Sequence, residues 1–180
     1  MMQFISLLTF SGKRLTGVLM SVALATSLLA SMQVSAASVQ VEWREPDSYR
    51  DIHPAGRSHE QFRATTFTDL EHNFGKLAKS LPDNQLLKIV VRDLDLAGHV
   101  NMNSESPRRR FISSSYFPRM KFSYKLYDQS GHLIKAGGAY LKRPDFIAST
   151  AQEYKDKTLG YEKQMIDRWY AETFAPRDVK

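Results

Sequence analysis

Asp93 and Asp95 stand two residues apart, and His99 follows four residues beyond the second acid. Two carboxylates and an imidazole at a strand end offer oxygen and nitrogen donors that suit Zn²⁺ or Mn²⁺. On that reading Asp93, Asp95 and His99 are candidate ligands of a metal-dependent hydrolase. The competing reading is that both acids pair with arginines or accept from amides of the loop that follows. No metalloenzyme signature supports the first reading, since His59-Glu60 lacks a second histidine four residues on.

The strongest charge feature is the run Arg108-Arg109-Arg110, with Arg119 and Lys121 close behind it. Guanidinium groups fork onto phosphate and carboxylate oxygens, and Phe111, Tyr116 and Phe117 add apolar contact nearby. These five cations are the candidate anion- or partner-binding residues; the alternative is a solvated basic loop. Other chemistry lacks a foothold. There is no GxSxG elbow, no glycine-rich phosphate loop and no cysteine, and no motif implies a cofactor. Tyr161-Glu162-Lys163 and Trp169-Tyr170 can line a groove, although helical spacing puts Met165 and Trp169 in a core. Glu162 falls on the apolar side of that helix and needs a buried partner, for which Arg119 and Lys121 are candidates.

The elements that position these residues follow from periodicity. Val39 to Trp43 alternates apolar and polar as a half-buried strand does, and Pro46 follows it. Residues up to Gly56 read as an irregular connection. Ser58 and Gln61 form a capping signal, after which Phe62, Thr66, Leu70, Phe74, Leu77, Ala78 and Leu81 recur at helical spacing, predicting a helix over about 59–80. Leu86 to Leu96 is a strand whose polarity changes sides near Arg92, which predicts a bulge or the strand's exit from the core. Residues 99–118 form a long irregular loop, a kind that is usually functional or mobile. Arg119 to Asp128 and His132 to Lys142 are the arms of a hairpin that turns at Asp128-Gln129-Ser130-Gly131. Gly137-Gly138 in the return arm predicts a bulge or a close backbone neighbour. Thr158 to Phe174 closes the chain as a helix. The expected architecture is α+β: about four mainly antiparallel strands, with two long helices on one face, in the order β-α-β-β-β-α.

The amino end has the layout of a secretory signal. Residues 1–36 hold no acid and only Lys13 and Arg14 as charges; an apolar run from Leu15 to Ala30 precedes Val34-Ser35-Ala36. Thr16, Gly17, Ser21, Thr26 and Ser27 dilute the run below what an uncleaved anchor needs. Cleavage after Ala36 leaves 37–180 as one domain, with the formal charge of +6 reduced by those two cations to +4. With no cysteine it must hold together without disulfides, which a core of this size permits. The composition, 42% hydrophobic and 24% charged, argues against disorder. The expected compartment is the periplasm, with no membrane span after cleavage.

Three stretches, DLDLAG at 93–98, PRMKFSYKLYDQSG at 118–131 and LGYEKQMIDRW at 159–169, resemble a family of small exported proteins of Gram-negative bacteria catalogued as domain of unknown function 3016. The likeness spans about Val39 to Phe174. It implies compartment and extent, and carries no activity or site residues. The reading that results is a non-enzymatic binding or accessory protein. Its loop 99–118 is expected to contact an envelope protein or an anionic envelope component, such as a lipid headgroup or cell-wall polymer. Nucleic acid is not an expected partner outside the cytoplasm, and the oligomeric state is left open.

Overall fold

The computed structural model describes residues 35–56, 58–101 and 109–174. Most of the predicted signal, and Arg108, lie outside the described residues. In chain order the elements are β1 (Ser38–Trp43), α1 (His59–Ala78), β2 (Leu86–Asp95), β3 (His99–Val100), β4 (Arg110–Phe111), β5 (Arg119–Tyr127), β6 (Leu133–Lys142), α2 (Phe146–Ser149), α3 (Gln152–Lys155) and α4 (Gly160–Phe174). The main sheet runs β1-β2-β5-β6. Its β1–β2 pair is parallel, as a crossover through α1 requires, and its other two pairs are antiparallel.

The expected bulge in β2 is present, and it explains the change of polarity. Val91 pairs with Phe122 and Asp93 with Lys121, so Arg92 is the extra residue. The bulge keeps Leu94 on the same face as Leu87, Ile89 and Val91, and all four are buried. In α1 the Ser58 side chain accepts from the Gln61 amide at 3.2 Å, and Thr66, Leu70, Phe74 and Ala78 are buried. From α4, Met165, Ile166 and Trp169 are buried. Both long helices lie on one face of the sheet, where Phe74, Phe122 and Trp169 meet edge to face; Phe122 and Trp169 are 4.7 Å apart at their centroids.

Two details differ from the sequence reading. The neighbour that Gly137 accommodates is a side chain: a Cβ there would sit 2.8–2.9 Å from the Tyr124 ring and hydroxyl. The irregularity of the hairpin falls nearer its turn, where Leu126 pairs with Lys135 and Tyr127 with Leu133. The loop 99–118 also has some order, because β3 and β4 pair antiparallel within it. Among the described residues no helix lies on the opposite face of the main sheet. Lys88, Lys121, Lys125, Tyr140 and Lys142 are exposed along it.

Candidate functional site

Of the predicted site residues, Asp95, His99, Arg110 and Arg119 lie where β2 leaves the sheet. The segment around Asp51 runs alongside this end: the Leu96 amide donates to the Asp51 carbonyl at 3.0 Å. Arg110, carried by β4, reaches back across this segment. Its guanidinium forks onto both oxygens of Asp51 at 3.0 and 3.1 Å. It also donates to the carbonyls of Ala97, Gly98 and His53 at 3.3, 3.1 and 2.9 Å. Burial raises the Asp51 pKa, but the Arg110 fork and the His53 amide outweigh it and hold the carboxyl below its usual range. Gly98 makes the close approach possible. Its φ is +79°, and a Cβ there would lie 2.4 Å from the Phe111 carbonyl oxygen.

The two acids proposed as metal ligands each have arginine neighbours. Asp93 accepts from the Arg50 amide at 3.1 Å, with the Arg50 side chain 3.6 Å away. Asp95 pairs with Arg119 at 3.2 Å and more loosely with Arg50 at 4.0 Å. Burial nonetheless pushes the Asp95 pKa up, helped by the negative charges of Asp51 and Asp93. His99 stacks on Tyr116 with centroids 4.2 Å apart, and its buried Nδ1 has no hydrogen-bond partner among the described residues. A polar cleft of about 430 Å³ brings Arg50, Asp51, Asp95, His99 and Arg119 to a common wall. Among the described residues no three histidine, aspartate or glutamate side chains are grouped so as to hold a metal ion.

The basic cluster is divided by the fold. Arg110 is engaged inside the molecule, and Arg119 pairs with Asp95 and lies 4.2 Å over the Phe117 ring. Lys121 is exposed on the helix-free sheet face, beside Arg92 and Tyr140. Arg109 is exposed at the start of β4. Around it the loop leaves Phe111, Ile112 and Tyr116 about half exposed, at 53%, 45% and 48%.

The partner of Glu162 is neither Arg119 nor Lys121. Its Oε1 accepts from the Ala97 amide at 2.7 Å, and the nearest cationic influences on it are Arg110 and Lys163. Glu162 is 2% exposed, and burial drives its pKa upward. It lines a second cavity, of about 240 Å³, walled by Phe62, Leu96, Ile112 and Leu159. Ala97 is therefore held from both sides, its amide by Glu162 and its carbonyl by Arg110. Sequence reasoning missed Arg50, Asp51 and His53, which sit in a connection without periodicity.

A family model described as a protein of unknown function (DUF3016) matches residues 37–172. The chain belongs to the DUF3016 family. No curated protein and no solved structure matches it. What this DUF3016 chain builds at the end of β2 is a scaffold of ion pairs. That scaffold holds a short β-ladder in place and leaves apolar side chains and Arg109 facing outward.

Proposed function

We propose that this DUF3016 protein is an exported, non-enzymatic accessory protein that docks through its loop 99–118 onto an acidic patch of a partner protein in the periplasm. The observation that carries the reading is the exposure of Phe111, Ile112 and Tyr116 within six residues, next to Arg109. Protein interfaces are anchored by aromatic and arginine residues at their centres. The Arg110 fork supports the same reading, because it anchors β4, and an anchored segment loses less entropy on binding. An acidic partner is complementary to Arg109, and to Arg108 beside it in sequence.

The test is a photo-activatable side chain at position 112, with exposed position 79 as control, in cells that make the protein naturally. The expected result is a discrete adduct from position 112 only, lost several-fold when Arg109→Glu or Tyr116→Ala is added. An adduct equal from both positions, or one indifferent to those substitutions, overturns the reading. The export half is tested separately by the amino terminus of the accumulated protein. It is expected to begin at Ala37 in the periplasmic fraction; an intact Met1 form retained in the cytoplasm contradicts it.

A further inference from the structure

We infer that the helix-free face of the main sheet is a binding surface for acidic phospholipid headgroups, separate from the protein-docking loop. Five exposed cations stand on this face: Lys88 and Arg92 on β2, Lys121 and Lys125 on β5, and Lys142 on β6. None of them has a carboxylate within ion-pair distance among the described residues. The acids on the same face are already matched: Glu42 pairs with Arg44, Asp93 lies against Arg50, and Asp95 against Arg119. Lys88 sits directly opposite Lys125 in the β2–β5 register, whereas Lys121 faces Asp93 and Arg119, opposite Lys142, is paired with Asp95. Like charges placed opposite each other destabilise a sheet. Such a pairing is relieved when an external anion covers it. The same charge excludes a second copy of the chain, since two basic faces repel.

The shape of the face selects a lipid surface over a linear polyanion. The cations spread over three adjacent strands, a two-dimensional array instead of a track. On β6 the outward positions opposite Lys125 and Ser123 are Ala136 and Gly138, small residues that leave Lys125 unobstructed, while Tyr140 stands opposite Lys121. A single-stranded nucleic acid needs open aromatic faces on which to stack. Here a cation already lies over each tyrosine ring, Lys88 over Tyr127 at 5.5 Å and Lys142 over Tyr140 at 4.1 Å, although Tyr140 stays half exposed. At the hairpin end, next to Tyr127, Leu133 and Ile134 are 54% and 50% exposed, giving apolar side chains that can enter the headgroup layer beside the cations.

The experiment uses the protein as cells accumulate it, with vesicles of phosphatidylglycerol and phosphatidylcholine against vesicles of phosphatidylcholine alone. Cosedimentation is expected with the anionic vesicles only, weakening as salt rises. Lys88→Glu places opposite charges across from Lys125, so the fold is not at risk and the thermal midpoint is expected to stay or rise. In the same variant vesicle affinity is expected to fall roughly ten-fold or more, because each reversal changes the charge by two. Equal binding to both vesicle types overturns the inference, as does undiminished binding by the Lys88→Glu, Lys121→Glu double variant. Binding to single-stranded DNA or polyphosphate that exceeds binding to the anionic vesicles, and is lost in the same variants, assigns the face to a linear polyanion instead.

Discussion

Replacing Arg110 with alanine separates the two roles that a run of arginines can have. The guanidinium makes two bonds to Asp51 and three to main-chain carbonyls, with only 18% of its side chain exposed. Removing one partner of a buried ion pair costs ~3–5 kcal/mol, because the other charge is left without compensation. Asp51 is one-fifth exposed and keeps the His53 amide at 3.0 Å, so the lower end applies, about 3 kcal/mol. At this chain length that corresponds to a fall of about 9 °C in the thermal midpoint. Arg109→Ala, at an exposed position, is expected to change stability by less than about 0.5 kcal/mol. Urea unfolding read by tryptophan fluorescence measures both, with the denaturant slope unchanged. There is also a pH signature. Asp51 has a depressed pKa in the folded state, so its contribution is present above the usual 3.8 and is lost as pH falls through the folded value. Arg110→Ala should flatten that acid limb. If Arg110→Ala unfolds within 0.5 kcal/mol of the unchanged protein, or Arg109→Ala costs as much, Arg110 is not the clamp described here.

Glu162 gives the opposite pH limb. Its folded pKa lies above the ordinary 4.5, so stability is fully present below 4.5 and declines as pH rises through the folded value. Glu162→Gln keeps an acceptor for the Ala97 amide and is expected to reduce that decline in thermal melts across the acid-to-neutral range; an unchanged slope assigns it to another group. Trp169→Ala removes the ring that meets Phe74, Phe122 and Tyr124, and is expected to cost ~3–5 kcal/mol by urea unfolding. Gly137→Ala should cost ~1–3 kcal/mol through collision with the Tyr124 ring. Combining it with Tyr124→Leu should recover part of that loss in a double-mutant cycle, and strict additivity would place the strain elsewhere.

Local patterns carried most of the fold. The phase shift in β2 is written in Leu87, Ile89 and Val91 followed by Leu94. The α1 start is written in Ser58, and the hairpin in Asp128 to Gly131, where Asp128 accepts from the Ser130 and His132 amides. The short helices α2 and α3 and the β3–β4 ladder span too few residues to show a period. The site was half legible, for a different reason. Asp95, His99 and Arg119 do share one cleft, because the end of a single strand and its neighbour bring them there, while Asp93 lines the adjoining one with Lys121. The partner of Arg110 lies 59 residues away in a segment without regular spacing, and charge alone does not say which acid an arginine will meet. Glu162 was conspicuous as an acid in an apolar stripe. That it bonds a main-chain amide leaves no mark in side-chain composition.

The cations of the molecule divide by chemistry as well as by place. Arg44, Arg50, Arg63, Arg110, Arg119 and Arg143 all lie within ion-pair distance of carboxylates, and among the lysines Lys163 does so with Asp69. A planar fork suits such fixed partners, whereas an ammonium on a flexible stem stays hydrated and accommodates a moving one. Among the described residues, four of the five unpaired cations on the helix-free sheet face are lysines. A reading from residue type gives most weight to arginine as the anion binder. In this fold the arginines of that reading that are most buried meet internal anions, Arg110 with Asp51 and Arg119 with Asp95. External ones are left to Arg109 at the loop and to a sheet face whose repulsive Lys88–Lys125 pair has no internal remedy. The two proposed contacts therefore draw on separate sets of charges. A substitution that abolishes one should leave the other intact.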